Sequence, residues 1–111
     1  MENTYSQSLQ DKLQLRQNFK ELSNRLLDAA HKAGNIVISA NYVLKVYYHQ
    51  KGAHNLRTYN QWKRDGYVVR QGEKGFPVWG SPKKGVNKEG EEYSYSPMIF
   101  LFDESQAVKI N

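Results

Sequence analysis

Residues 58–79 read TYNQWKRDGYVVRQGEKGFPVW and hold the strongest local signals in the chain. Thr58 and Gln61 have the spacing of a capping box. In that motif the Thr58 hydroxyl accepts a hydrogen bond from the backbone N–H of Gln61, and the Gln61 side chain accepts one from the backbone N–H of Thr58. Gly66 follows as a stop signal. The pattern therefore predicts a short helix over residues 59–65.

Beyond Gly66 the hydrophobic period changes from helical to strand-like. Residues 67–70 and 76–79 predict two strands on either side of a turn at residues 71–75. Pro77 has no backbone donor, so we expect the second strand at a sheet edge or at a bulge.

The last third of the chain completes the predicted sheet. Residues 80–92 are polar and rich in Gly and Lys, which predicts a mobile hairpin tip. Residues 93–102 predict one long return strand, and Asp103 is placed to begin a helical turn at its end.

A long helix is predicted near the N-terminus. Residues 1–7 are polar and are expected to form a frayed start. Ser8 and Asp11 resemble a capping box with a shorter acid, and Gly34 followed by Asn35 supplies a stop, so the helix is predicted over residues 9–32. Its apolar residues recur mostly at three- and four-residue steps and are expected to face the core, with packing against a partner helix as the alternative. They are Leu9, Leu13, Phe19, Leu22, Leu26, Ala30 and Ala33.

A second helix is predicted over about residues 40–51. The β-branched run at residues 36–38 precedes it, either as a strand or as an extended link. Ser39 or Asn41 can cap this helix, and Gly52 closes it.

These elements predict an α+β fold, with two longer helices and one short helix packed on a small antiparallel β-sheet of about three strands. At 111 residues the chain is expected to be a single domain, residues 1–111. It has no cysteine, which excludes disulfides, thiolate metal ligands and thiol nucleophiles. No apolar run approaches the ~20 residues of a membrane span, and no signal peptide is evident, so we expect a cytoplasmic protein without a membrane partner.

The net charge of +5 is concentrated in the middle of the chain. Residues 45–88 contain ten Lys and Arg against Asp65 and Glu73, whereas the other residues contain six against nine acids. A localised positive surface favours an anionic partner. Ordinary solubilising charge is the alternative.

The same basic segment contains both tryptophans, several tyrosines and a glycine-rich loop at residues 70–75. Aromatic faces that stack bases and cations that hold phosphates are typical of single-stranded nucleic-acid binding. Gly72 and Gly75 let backbone amides approach a phosphate closely, with an ordinary hairpin turn as the alternative. Glu73 is expected to pair with a neighbouring cation or to tighten the turn.

The candidate contact residues are cations that would hold phosphates, glycines of the loop, and aromatic residues that would stack bases or support the groove. Tyr59 and Trp62 share a helix face, and we expect Trp62 to be mainly core, whereas Trp79 is the better stacking residue. The candidate nucleic-acid-binding residues are Arg57, Tyr59, Trp62, Lys63, Arg64, Arg70, Gly72, Lys74, Gly75, Trp79, Lys83 and Lys84.

Catalytic patterns are weak. His31, His49 and His54 do not form a helical metal pair, and no His-Glu-x-x-His segment is present. Asp103 and Glu104 are adjacent acids without a recognisable third ligand. We therefore expect no catalytic residue, no metal site, no cofactor and no enzymatic activity.

Three motifs resemble one known family. They are TYxQW at residues 58–62, GxxVRxGEKGxPV at residues 66–78 and FLFDxxQ at residues 100–106. The pattern resembles the N-terminal single-stranded-DNA-binding domain of ArdC-type anti-restriction proteins, which conjugative plasmids and related mobile elements carry. The resemblance is dense over residues 57–106. It implies single-stranded DNA binding in plasmid transfer or anti-restriction. The metallopeptidase-like domain that usually follows in the family lies beyond this chain, so no protease or metal role is carried over.

The sequence thus predicts non-enzymatic, largely sequence-independent binding of single-stranded DNA, with RNA left open as a partner and the oligomeric state undetermined. One alternative is a basic protein-interaction module that docks an acidic surface. Another is an accessory domain of a nuclease or metallopeptidase.

Overall fold

The computed structural model describes residues 4–34 and 39–110, with side chains from Ser8 onward. The chain divides into two compact units between Leu44 and Lys45, inside its second helix. Three helices and several small antiparallel sheets confirm the predicted α+β class. The predicted element at residues 36–38 lies outside the described residues.

The first unit is built on helix α1, Thr4–Lys32. The helix begins before Ser8, so the predicted frayed start is wrong for residues 4–7, and Ser8 is not its N-cap. Gly34 ends the helical segment as expected, with a φ of +94° and its N–H donating to the carbonyl of His31 at 3.0 Å. Such a φ is accessible to glycine without steric cost.

The side chains of α1 differ along its length. Phe19 and Ser23 are buried, whereas Leu9, Leu13 and Leu15 are 49 %, 59 % and 51 % exposed. The prediction that the whole apolar stripe faces a core is therefore wrong at Leu9, Leu13 and the exposed Ala33. Regular helical spacing establishes that side chains share a face, but it does not establish what covers that face.

Helix α2 spans Ala40–Gln50. Ser39 provides the cap, because its hydroxyl accepts a hydrogen bond from the backbone N–H of Tyr42 at 3.1 Å. Gly52 closes the helix with a φ of +102°. The N–H of Ala53 then returns to the carbonyl of Tyr48 at 3.0 Å, which satisfies a terminal carbonyl of the helix.

After helix α2, the described residues of the second unit form one short helix, seven short strands and one 3₁₀ turn. In chain order they are β1 Arg57–Thr58, α3 Tyr59–Arg64, β2 Tyr67–Val69, β3 Phe76–Trp79, β4 Lys83–Val86, β5 Glu92–Tyr95, β6 Met98–Phe102, the 3₁₀ turn Glu104–Gln106 and β7 Ala107–Lys109.

The strands form three antiparallel sheets, β1-β6-β3, β2-β7 and β4-β5. The three-stranded sheet and the edge position of Pro77 in β3 are confirmed. However, β2 does not pair with β3, because β2 pairs with β7, a strand that the sequence reading missed. Residues 71–75 therefore connect two different sheets instead of turning a hairpin.

The predicted long return strand is also wrong, because it breaks at Ser96-Pro97 into β5 and β6. Pro97 has no N–H for a strand ladder, although its carbonyl accepts a hydrogen bond from Gly80 at 2.7 Å. The predicted tip is shorter than expected, because Lys83–Val86 forms strand β4.

The core of the second unit lies on one side of the β1-β6-β3 sheet. Val78 and Leu101 are buried there, and the ring of Tyr48 packs on Phe76 with centroids 5.1 Å apart. The Tyr48 hydroxyl donates to the carbonyl of Pro77 at 2.7 Å. Burial raises the pKa of Tyr48 to about 12, with a further contribution from Tyr47, so this phenol stays neutral and bonded.

Candidate nucleic-acid interface

The capping box of α3 forms as predicted. The backbone N–H of Thr58 donates to the Gln61 side chain at 2.9 Å, and that of Gln61 donates to the Thr58 hydroxyl at 3.1 Å. This helix start sets Trp62 into the core, where it is 2 % exposed and its indole N–H donates to the carbonyl of Phe102 at 2.7 Å. The expectation that Trp62 is mainly core is confirmed, and a buried indole supports a surface instead of stacking on a base.

Tyr59 behaves differently from Trp62 although both lie on α3. The Tyr59 side chain is 47 % exposed. The two rings are three residues apart, but their burial differs. Of the six residues of α3, only Trp62 is buried. Tyr59 keeps an accessible ring.

Strand register defines a second face of the β1-β6-β3 sheet. Directly paired residues of antiparallel strands project on the same side, and successive residues alternate. The pairs Pro77–Phe100, Trp79–Met98 and Arg57–Phe102 therefore project away from the face that carries Val78 and Leu101. We call these six residues the aromatic sheet face.

The aromatic sheet face is partly open to solvent. Phe100 is 41 % exposed, and Pro77, Trp79, Met98 and Phe102 are half-buried. Arg57 lies at the β1 edge of this face, with its guanidinium carbon 4.8 Å from the centroid of the Trp62 ring. The face thus presents aromatic rings, and the cation at its edge is paired with Asp65.

Gly75 is placed for close packing on strand β6. A Cβ at this position would lie 2.6 Å from the Cβ of Phe100 and 3.2 Å from the carbonyl oxygen of Leu101. Gly72, by contrast, has open space around it and a φ of +85°. Packing on Phe100 therefore explains why position 75 requires glycine, independently of the predicted approach of a phosphate.

The loop at residues 70–75 is tied to the 3₁₀ turn. The buried Gln106 amide donates to the carbonyl of Lys74 at 2.8 Å and to the Glu73 carboxylate at 3.2 Å. The N–H of Arg70 donates to the carbonyl of Gln106 at 2.9 Å. The Arg70 guanidinium pairs with Glu73 at 3.2 Å and also donates to the carbonyl of Ser105. The predicted pairing of Glu73 with a neighbouring cation is confirmed.

Asp103 anchors the same turn from the other side. Its carboxylate accepts hydrogen bonds from the N–H of Asn55 at 2.9 Å and from the hydroxyl of Ser105 at 2.7 Å. Burial alone raises the pKa of this carboxyl, but hydrogen bonds from Asn55, Ser105 and Glu104 outweigh it and hold the pKa below its ordinary value. The predicted helical turn at Asp103 is confirmed.

The predicted cations are spread over several surfaces. Arg57 and Arg64 line a shallow groove of about 340 Å³ together with Gln61 and Asp65, and Asp65 forms an ion pair with Arg57. The side chains of Lys63 and Lys74 are exposed.

Lys83 and Lys84 occupy the separate β4-β5 sheet. Three candidates belong to the aromatic sheet face or contact it: Arg57 opposite Phe102 on one edge strand, Trp79 opposite Met98 on the other, and Gly75 against Phe100. The structure does not gather the other candidates on this face.

Sequence reasoning omitted the residues that form most of this face. Strand β6 reads MIFLF, a continuous apolar run, so the sequence carries no alternation that separates Met98, Phe100 and Phe102 from the opposite face. Tyr93 and Tyr95 were also outside the candidate set, although they share a strand face and are 49 % and 40 % exposed.

Among the described residues, no three His, Asp or Glu side chains come together as a metal site would require. The expected absence of catalytic and metal chemistry stays a prediction. None of the helices in the described part of the chain is both long and apolar enough to cross a membrane.

Comparison with known proteins identifies one solved structure of similar fold. It is the metal-free crystal structure of the antirestriction ArdC protein from plasmid R388, which superposes with a TM-score of 0.54 at 22 % sequence identity. The match covers 84 % of this chain and 42 % of the ArdC chain, so this chain spans less than half of that protein. No protein family and no curated protein sequence matches the chain. The chain therefore has an ArdC-like fold.

Proposed function

We propose that this protein binds single-stranded DNA without catalysis and with little sequence preference, in plasmid or mobile-element transfer or in anti-restriction. The observation that carries the proposal is the aromatic sheet face. Its Phe100 ring is 41 % exposed, Trp79 lies on the same side of the sheet, and Arg57, which pairs with Asp65, lies at the β1 edge.

Single strands suit this surface better than duplexes do. Bases of a single strand can stack on protein rings, whereas bases of a duplex are already stacked on one another. Phosphates of the same strand then interact with nearby cations and release their counterions. The excess of ten basic over two acidic residues in residues 45–88 supports this electrostatic contribution.

The biological setting is inferred from fold and motifs. The solved structure of similar fold is an antirestriction protein from a plasmid. The motifs at residues 58–78 and 100–106 also lie in the described second unit, where they build α3, the loop at residues 70–75 and the aromatic sheet face. These two likenesses support a role in the same setting.

The first experiment compares a ~20-nucleotide oligo-dT with a blunt duplex of equal length at equal salt, by fluorescence anisotropy. Tighter binding of oligo-dT is the expected result. Equal or tighter binding of the duplex would contradict the proposal. Poly-L-glutamate serves as a competitor, and displacement of oligo-dT at matched charge would favour an acidic protein partner instead.

Two neighbouring residues of β6 give a matched pair of variants. Phe100 and Ile99 are 41 % and 39 % exposed but project on opposite sides of the sheet. Phe100→Leu should weaken oligo-dT binding by about 1–3 kcal/mol, the range for one stacked base, whereas Ile99→Ala should leave the affinity unchanged. An equal effect of both variants would argue against the aromatic sheet face.

A further inference from the structure

The hairpin formed by β4 and β5 has two chemically different faces. Its register pairs Lys83 with Tyr95 and Gly85 with Tyr93, so these four residues lie on one face. The opposite face carries Lys84, Val86, Glu92 and Ser94. All the aromatic side chains of the hairpin thus lie on the first face, which we call the tyrosine face.

Gly85 allows the Tyr93 ring to lie directly against the backbone of β4. A Cβ on Gly85 would lie 2.4 Å from Cζ of Tyr93, so any other residue at position 85 would displace this ring. The rings of Tyr93 and Tyr95 are neighbours, with centroids 5.8 Å apart and planes inclined by 37°. The contact with Gly85 therefore positions the Tyr93 ring before any ligand arrives, and the Tyr95 ring packs beside it.

These positioned rings remain accessible. Tyr93 is 49 % and Tyr95 is 40 % exposed. A ring that is already ordered loses little conformational entropy when a ligand stacks on it. Open faces of this kind suit planar, unpaired bases.

Charge also differs between the ends of the hairpin. Lys83 lies on the tyrosine face beside Tyr95. This pair is at the end of the hairpin where the chain connects to β3 and β6. Glu89 and Glu91 lie at the tip, where the Asn87 side chain accepts hydrogen bonds from both of their N–H groups. Lys88 also lies at the tip, which therefore carries one cation against two carboxylates. Phosphates are attracted more strongly to the Lys83 end than to the tip.

We infer that the tyrosine face is a second base-stacking surface for single-stranded nucleic acid, with Tyr95 and Tyr93 stacking bases and Lys83 contacting a phosphate. This inference rests on the proposed function and extends it to a hairpin that is separate from the aromatic sheet face.

The test measures the affinity of the full chain for two 20-mers, oligo-dT and an oligomer of abasic sites, which keeps the phosphates and lacks the bases. Tyr95→Leu should weaken oligo-dT binding by about 5- to 150-fold, which corresponds to 1–3 kcal/mol per stacked base. It should leave binding of the abasic oligomer unchanged. Tyr95→Phe keeps the ring and should retain the wild-type affinity, and Val86→Ala on the opposite face should do so as well.

The outcomes separate this inference from the proposed function. If the wild-type chain binds oligo-dT and Tyr95→Leu binds equally well, the inference fails and the proposed function stands. If Tyr95→Leu weakens both oligomers equally, the residue acts through folding or charge, and stacking is refuted. If the wild-type chain does not bind oligo-dT, the proposed function fails and the inference fails with it.

Discussion

Gly75 and Phe100 are in such close contact that a Cβ on the glycine would lie 2.6 Å from the Cβ of the phenylalanine. The Cβ of Phe100 is fixed to the backbone of β6, so it cannot move aside as the end of a flexible side chain would. This contact joins the loop at residues 70–75 to the strand that forms the centre of the aromatic sheet face.

Gly75→Ala should therefore lower the free energy of unfolding by about 1–3 kcal/mol, the usual cost of inserting a methyl group into a packed site. Urea unfolding followed by circular dichroism measures the change. Gln71→Ala, at an exposed position of the same loop, serves as the control and should change stability by less than about 0.5 kcal/mol. Unchanged stability of Gly75→Ala would mean that the loop does not pack on β6.

The two tryptophans should respond differently to truncation. Trp62→Ala should lose about 3–5 kcal/mol of stability, because it removes a ring that is 2 % exposed and leaves the carbonyl of Phe102 without its indole donor. Trp79→Ala should weaken oligo-dT binding by about 1–3 kcal/mol with a smaller change in stability. Thermal melts with matched oligonucleotide titrations measure both. If Trp79→Ala unfolds the protein while Trp62→Ala only weakens binding, the core role belongs to Trp79 and the stacking role to Trp62.

The salt dependence of binding should identify the phosphate contacts. Lys74 is exposed, so Lys74→Ala should flatten the plot of log affinity against log salt by about 0.7 on a single strand without changing stability. Arg70→Ala should in addition lower stability by about 0.5–1 kcal/mol, because its half-exposed guanidinium pairs with Glu73. Lys109→Ala, outside the basic segment, serves as the control. A slope that Lys74→Ala leaves unchanged would place the phosphate contacts elsewhere.

The contribution of the Asp103 carboxylate to the free energy of unfolding should depend on pH. Its pKa is lower in the folded chain than in the unfolded chain, so the carboxylate stabilises the fold at pH values above about 4. That contribution is lost as the pH falls through the folded-state pKa. Asp103→Asn should therefore be less stable than the wild type at pH 7, by about 1–3 kcal/mol, and the gap should narrow in acid. Urea unfolding at several pH values measures the gap, and a gap that stays constant with pH would contradict this account.

Local signals were predictable from the sequence. The capping box of Thr58 and Gln61, the glycine stop at Gly52 and the edge position of Pro77 depend on residues close together in the chain or on the missing donor of proline. The capping box and the glycine stop form largely irrespective of the rest of the chain, whereas proline only restricts β3 to an edge and the pairing with β6 places it there. All three features are present in the structure.

Pairing between distant segments was not predictable in the same way. The pairing of β2 with β7 instead of β3 depends on contacts such as that between the Arg70 N–H and the Gln106 carbonyl, across a separation that no local pattern encodes. The same limit applies to the candidate site. Charge and aromatic content identified Arg57 and Trp79, but only the register of β6 placed Phe100 beside them.

The pairing of early strands with late ones has a consequence for synthesis of the chain. Strands β1 and β2 find their partners only in β6 and β7, at residues 98–109. A growing chain on the ribosome therefore holds Trp62 and Val78 without their cover until those residues emerge. Non-local pairing of this kind slows folding and prolongs exposure of apolar surface. Assembly of the second unit should thus follow release of its last strands, as one late event instead of a gradual one.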